Sequence, residues 1–529
     1  MVLVSGYYRD SIGIVNKRNM KRALVSVSDK TGLIPFVSGL QQAGWQIIAT
    51  GGTQRLLEQN GIHTVGISEV TGFPEICDGR VKTLHPKVHG ALLARRDMPS
   101  HLQALQENGI EFIDMVCVNL YPFRQTIAKK DVTREEAIEN IDIGGPSMLR
   151  SAAKNNASVT VVCDTADYEN VLDEIRRNGD TDPQTRLRLA AKAYTHTAEY
   201  DMCIAAYMRK EAGLNEKLFL EYDLRQSLRY GENPHQQAQF YAAQEAGAYS
   251  LANACQLQGK ELSYNNLQDA NAALCIVRDF EQPCCVALKH MNPCGAAVAD
   301  TIEQAWQKAY EADTVSIYGG IVVCNRPVTE QVALGMKPIF LEIVIAPAFT
   351  PEALAVLSAK KNLRLLEVDM TRTDSTQMQY VSVNGGMLVQ QQDTQIETLT
   401  KEMCATEQKP DASMFSDLQF GWTVVKHVKS NAIVVVKDGH TVGVGAGQMN
   451  RVGSAEIALK QAHEAGFTKD LILASDGFLP FDDTVTLAAQ YGVKAIVQPG
   501  GSIRDNDCIV KANELGICML MTGTRHFKH

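Results

Sequence analysis

Hydrophobic positions in the first third of the chain fall in short unbroken blocks, not in strict alternation. Lys21–Ser28, Trp45–Ala49 and Met115–Leu120 are each an apolar run closed by polar or turn-forming residues. Such runs fit strands buried on both faces, as parallel strands are. Between them, Ile34–Ala43 and Gln54–Gln59 carry a helical pattern. Strand and helix therefore alternate, and the expected class is α/β with an open parallel sheet. Leu187–Tyr207 is Ala-rich and periodic, and the polar stretch Arg209–Glu221 after it marks the expected domain boundary. The expected division is an N-terminal extension over 1–20, a first domain over 21–215 and a larger region over 216–529. In that region Cys284–Leu288 and Val428–Val436 read as strands, each with polar residues at one end.

The predicted strand ends of the first domain collect polar side chains. Ser28-Asp29-Lys30 closes the first strand, and Thr50-Gly51-Gly52-Thr53 joins the second to a helix. Strand, Gly-rich turn and helix N-terminus together suit a phosphate, although a plain tight turn has the same letters. Asp78–Pro86 (DGRVKTLHP) is a second polar loop, Asn119 and Tyr121 end the third strand, and Asp142–Ser147 (DIGGPS) leads into a helix bearing Lys154. Ligands bind at this edge of an open parallel sheet, so Lys30, Thr53, Lys82, Tyr121, Asp142 and Lys154 are expected on one rim. Lysines beside an Asp and a Tyr suit a phosphorylated substrate that undergoes proton transfer.

In the second region the focus is Lys289-His290-Met291-Asn292-Pro293-Cys294-Gly295. An apolar run delivers Lys289 and His290 side by side, and Pro293 and Gly295 predict a turn just after them. Imidazole can take a proton near neutrality, and an ammonium can stabilise an oxyanion. Alternation sends neighbours to opposite faces, so both serve one pocket only if the strand ends there. A surface lysine beside a capped histidine would look the same. Asn431 precedes a second apolar strand, and GVGAGQMNR (Gly443–Arg451) lacks the strand-to-helix fingerprint and distant acid of a dinucleotide site.

Composition narrows the classes. The net charge of −9 has no basic tract to offset it, which argues against a nucleic-acid partner. No apolar run approaches the roughly 20 residues a membrane helix needs. Met1–Asn19 lacks the long apolar core of an export signal, so the 13 scattered cysteines, without Cys-x-x-Cys, are expected as reduced thiols in a cytoplasmic protein. His85 and His89 flank Pro86 and have no evident third partner, so no metal is expected.

Several long motifs, in register from about Lys21 to His529, carry a resemblance: SVSDK, ATGGT, DGRVKTLHPKVHG, NLYPF and NIDIGGPSMLRSAAKN, then RYGENPHQ, KHMNPCG, SIYGG, VKSNAI, GAGQMNR, PGGSIRD and TRHFKH. The chain resembles the bifunctional purine-biosynthesis family that joins an inosinate (IMP) cyclohydrolase to an aminoimidazole carboxamide ribonucleotide (AICAR) formyltransferase. The resemblance implies a methylglyoxal-synthase-like N-terminal domain and a transformylase region of two cytidine-deaminase-like α/β units. It implies formyl transfer from 10-formyltetrahydrofolate to AICAR, then cyclisation of the product, FAICAR, to IMP. It also implies a homodimer with the transformylase site at the interface and no catalytic metal.

Residue by residue, the resemblance places Ser28, Lys30, Thr50, Gly51, Gly52 and Thr53 on the nucleotide phosphate of the first site. Arg80, Lys82, Thr83, Asn119, Tyr121, Asp142 and Gly144 would surround the base, with Lys82 near the oxyanion and Asp142, Tyr121 and Lys154 unranked for proton traffic. In the second site His290 would be the general base, Lys289 would stabilise the oxyanion, and Asn431 would orient the pair. Arg229, Tyr230 and Arg525 would take the phosphate and sugar, Asp483 the pterin, with Asp269, Tyr318, Gly319, Gly447 and Arg451 around the same cleft. Two departures stand out: Asp482 where the family carries Arg, and Tyr318 where Phe is usual. The first leaves open a cyclohydrolase with a weakened folate site; a nucleotide-sensing protein without turnover is the remaining alternative.

Overall fold

The computed structural model describes residues 20–244, 246–372 and 377–529. The expected extension over 1–19 lies outside the described residues. The chain forms two compact units, which meet between Glu221 and Tyr222.

The first unit is built on five parallel strands: β1 (Arg22–Val27), β2 (Gln46–Ala49), β3 (Val65–Gly66), β4 (Met115–Asn119) and β5 (Thr160–Val162), in the order β3-β2-β1-β4-β5. Leu24, Ile48, Val116 and Val161 are wholly buried, because helices cover both faces of the sheet. The connection from β1 goes one way to β2, and β4 lies on the other side of β1. The crevice at the C-terminal ends of β1 and β4 is thus the switch point of the sheet.

Among the described residues the second unit carries fifteen strands. Two hairpins stand apart: β6 (Asp223–Leu228) with β7 (Ala238–Ala242), and β14 (Met378–Val383) with β15 (Gly386–Gln391). The remaining strands are β8 (Cys255–Gln258), β9 (Cys284–Lys289), β10 (Asn292–Val298), β11 (Ile321–Cys324), β12 (Ile343–Ala346), β13 (Arg364–Glu367), β16 (Ile433–Lys437), β17 (His440–Gly445), β18 (Leu471–Ser475), β19 (Val493–Gln498) and β20 (Cys518–Met521). They make one sheet, β20-β19-β18-β16-β17-β10-β9-β11-β12-β13-β8.

That sheet contains the same motif twice. In β9–β13 a hairpin (β9, β10) is followed by a strand antiparallel to β9, then two parallel strands. In β16–β20 the pattern repeats strand for strand. The two repeats join where β10 meets β17. Helices 264–278 and 412–425 cover one face with a continuous core, whereas the opposite face has a separate core for each repeat.

One expectation fails here. Pro293 and Gly295 do not turn the chain; they lie inside β10, with a register irregularity between them. The turn is earlier, at His290-Met291, with Lys289 opposite Asn292. Gly295 is needed for packing, since a Cβ there would overlap the Ala309 carbonyl.

Candidate active sites

The switch-point crevice of the first unit opens into a cavity of about 610 Å³. Ser28, Lys30, Thr50, Gly52, Thr53, Arg80, Lys82, Thr83, Asn119, Tyr121, Asp142 and Gly144 all line it. The N-terminus of helix 51–59 supplies partial positive charge at one end of the cavity. Gly51 opens that helix with φ +39°, and the Lys82 ammonium lies 3.9 Å from where a Cβ on Gly51 would stand. Thr53 and Thr50 are tied inward: the Thr53 hydroxyl donates to the Val27 carbonyl at 3.2 Å, and Thr50 pairs with Ser26 at 2.7 Å. Lys30 donates to the Val27 carbonyl at 2.9 Å, and burial lowers its pKa.

At the other end of the cavity, burial pushes the Asp142 carboxyl above its ordinary value, opposed by the Gly145 N–H and the Lys82 ammonium. The Gly145 N–H donates to Asp142 Oδ1 at 2.8 Å. Burial, then the Asp142 charge, raises the Tyr121 phenol. A carboxyl and a phenol therefore face one space that the Lys82 ammonium also lines. Gly144 has no room for a Cβ, which would stand 2.7 Å from the Thr83 hydroxyl.

Three expected residues behave differently. Lys154 ends helix 144–154 and is exposed, about 15 Å along the axis from the end that faces the cavity. The Asn119 amide is spent on the loop after β1, accepting from Asp29 N at 2.9 Å and donating to the Asp29 carbonyl at 2.9 Å. Arg80 pairs with Glu139 on the exposed rim. Sequence reasoning missed Glu139 and Tyr200; the latter's hydroxyl accepts from Asp142 N at 2.8 Å, and nothing local to Tyr200 signals that. The two histidines weighed as metal ligands have structural partners: His85 caps helix 86–93 through Lys87 N, and His89 bonds Ser151.

In the second unit Lys289 and His290 both line a cavity of about 560 Å³. They share it because β9 ends there and turns in two residues, with φ of +53° at His290 and +63° at Met291. Both turn residues thus have the left-handed conformation of a type I′ hairpin, normally Asn-Gly. Lys289 Nζ donates to the Tyr318 carbonyl at 2.9 Å, and the Gly319 N–H to the Phe340 carbonyl at 2.7 Å. Asp313 accepts from Val315 N and Ser316 N, fixing the loop that brings Tyr318 to Lys289. Asp313 and Gln461, which it bonds at 3.1 Å, also line the cavity, and the sequence reading named neither. Cys294 lies in the same wall, and burial pushes its thiol up to about 12, so it stays protonated.

Asn431 lies beside the hairpin, on a loop whose Lys429 N–H donates to Asn292 Oδ1 at 3.0 Å. Its amide donates to the Gln448 carbonyl at 2.9 Å and accepts from Arg451 at 2.8 Å. Arg451 is therefore no open loop residue. It begins helix 451–464, is 6% exposed, and pairs with the wholly buried Asp476. Gly447 donates to the Lys429 carbonyl at 2.7 Å. Arg229 and Tyr230 bond each other at 2.9 Å at the end of β6; Asp483 opens helix 483–490; Arg525 stacks on Phe527. Residues 229, 230, 431, 447, 451, 483 and 525 do not line the Lys289–His290 cavity of a single chain. Asp269 does not line that cavity either; its carboxylate accepts from the backbone N–H groups of His290 and Met291.

A cavity lined by Lys30, Lys82, Tyr121 and Asp142 at one sheet, and a lysine–histidine hairpin at a cavity of another, give a two-unit α/β protein with two candidate sites. A family model described as the AICARFT/IMPCHase bienzyme matches residues 152–461, and one for the MGS-like domain matches 32–147. The bifunctional purine biosynthesis protein PurH of Bacillus cytotoxicus is 56% identical over 511 residues, 96% of this chain and 100% of that one. Proteins of the same description from Bacillus cereus strain B4264 and Bacillus thuringiensis strain Al Hakam are each 55% identical over the same share of both chains. The chain belongs to the AICARFT/IMPCHase bienzyme family. Its reactions are the last two steps of IMP formation, formyl transfer to AICAR and closure of FAICAR to IMP, and its formyl donor is of the folate type.

Proposed function

We propose that each reaction belongs to one of the two cavities, with the residue roles that follow. In the second unit His290 takes a proton from the AICAR amine as its nitrogen attacks the formyl carbon of 10-formyltetrahydrofolate. Lys289 stabilises the tetrahedral oxyanion. When the carbon–N10 bond breaks, the proton passes to N10 and tetrahydrofolate leaves. An amine conjugated to a neighbouring carboxamide is a weak nucleophile, so placement and base assistance carry the rate. In the first unit the FAICAR phosphate rests on Ser28, Lys30 and the start of helix 51–59. The carboxamide nitrogen attacks the formyl carbon, Lys82 stabilises the oxyanion, and Asp142 and Tyr121 move the protons that release water. No step needs a metal.

The observation that carries this reading is the placement of Lys289 and His290 together at one cavity by a strained two-residue turn. Arg229, Tyr230 and Arg525 are exposed or half-exposed and lie off that cavity, which supports a site completed by a second copy of the chain. The β14–β15 hairpin is exposed along its whole length and presents apolar residues among its glutamines, with Leu388 61% and Val383 45% exposed, and is the surface best suited to such a homodimer. No described helix is long and apolar enough to cross a membrane, and a cytoplasmic enzyme free of nucleic acid fits the net charge of −9. Incubating the protein with AICAR and 10-formyltetrahydrofolate should give IMP, read by absorbance. Conversion of FAICAR alone would instead support the weakened folate site suggested by Asp482.

A further inference from the structure

The hairpin that presents Lys289 and His290 has a twin in the other repeat. There β16 ends at Lys437, the turn is Asp438-Gly439, and His440 begins β17. Lys437 pairs with His440 across it just as Lys289 pairs with Asn292. Both turns carry two positive φ angles, +53° and +63° in the first, +48° and +73° in the second. Asp-Gly is the sequence such a turn prefers; His-Met is not.

Each turn is gripped by a carboxylate from the helix that precedes its hairpin, 21 residues before the first turn residue. Asp269 accepts from His290 N at 3.3 Å and Met291 N at 2.8 Å. Asp417 accepts from Asp438 N at 2.8 Å and Gly439 N at 2.7 Å. The oxygens divide their work identically, Oδ2 to the first N–H and Oδ1 to the second. The clamp is thus a property of the repeated unit. One copy has kept an easy turn, and the other has placed a histidine and a methionine in it.

We propose that Asp269 is a positioning residue for formyl transfer: its carboxylate holds the His290–Met291 turn in the left-handed conformation that puts His290 beside Lys289 at the cavity. This replaces the expectation that Asp269 binds substrate, since both its oxygens are engaged by the turn. The proposal rests on the reading of His290 as the base.

The test compares Asp269→Ala, Asp269→Asn and Asp417→Ala with the double variant Asp269→Ala/Met291→Gly. A glycine at the second turn position no longer needs the clamp, so it should relieve a turn defect, whereas it would leave the loss of a substrate contact unrepaired. For Asp269→Ala, kcat for formyl transfer should fall about 100-fold with little change in KM, while cyclisation of FAICAR is retained. Adding Met291→Gly should restore kcat about 10-fold, and Asp269→Asn, which keeps one acceptor, should lie between the wild type and Asp269→Ala. Asp417→Ala should leave formyl transfer within about threefold of wild type, because its turn already suits the conformation. Amide hydrogen exchange over His290-Met291 should rise in Asp269→Ala and fall again in the double variant. Unchanged kcat in Asp269→Ala, or a double variant with a protected turn and no recovery, would overturn the proposal. If His290→Ala kept full formyl transfer, the base assignment would fail, and the exchange data would still decide whether Asp269 holds the turn.

Discussion

His290 and Met291 sit in a backbone region that L side chains rarely adopt, at a cost of about 1–3 kcal/mol each. Such strain persists where surrounding structure over-determines it. The pair itself stood out in the sequence, because Lys-His at the end of an apolar run is an unusual place for two polar groups, and both do line one cavity. The geometry did not stand out. Pro293 and Gly295 look like turn residues, yet Gly295 is there to admit the Ala309 carbonyl against β10, a contact between residues of different elements. Arg451 shows the same limit: the resemblance set it beside the cleft, and only the fold reveals the buried Asp476 that neutralises it. Asp476 also accepts from the Ser430 hydroxyl and from Ala432 N at 3.1 Å, so it anchors the loop that carries Asn431. Removing one partner of such a pair leaves a buried charge, and Asp476→Ala should cost the second unit about 3–5 kcal/mol. Urea unfolding followed on that unit's tryptophans, Trp306 and Trp422, measures this, and formyl transfer should fall with it while cyclisation holds.

At the scale of elements, short apolar blocks gave β1, β2 and β4 of the first unit almost to the residue, because parallel strands buried on both faces tolerate little else; β3 and β5, of two and three residues, are too short to stand out as blocks and were not legible. The glycines of GVGAG, set aside as a dinucleotide site, serve packing. A strand followed by a helix is present there, β17 and helix 451–464, but β17 runs antiparallel to both its neighbours. Gly443 and Gly445 let the helix lie against the strand, since a Cβ on either would overlap the Ala458 or Ser454 carbonyl. The C-terminal tail is fastened by His526, whose ring bonds Asp393 at 2.6 Å and Glu397 at 3.0 Å. Burial alone would lower its pKa, but the two carboxylates outweigh that and hold it above its ordinary value of 6.5. The folded protein therefore keeps this proton at a pH where the unfolded chain has lost it. The stabilisation is complete below 6.5 and disappears as pH rises through the folded value. Thermal melts from pH 6 upward should show the wild type losing stability over a range in which His526→Gln stays flat.

At the scale of the molecule, the rim of the first sheet was readable because strand ends in parallel α/β units collect function, and one cavity indeed gathers residues from the ends of β1 and β4 and from the segments that follow β1, β2 and β4. Lys154 escaped that logic, since helix 144–154 carries it away from the edge it was assigned to. The duplication in the second unit was hidden in the letters: KHMN and KDGH share little except the lysine, while their backbones and clamps coincide. The central claim is that two chemistries occupy two independent cavities, and paired single-site variants test it most directly. Formyl transfer and FAICAR cyclisation should be measured separately in His290→Ala and Lys82→Ala. The account predicts that His290→Ala loses formyl transfer by about 100-fold or more and keeps cyclisation, and that Lys82→Ala does the reverse. Loss of both activities in either folded variant would contradict it.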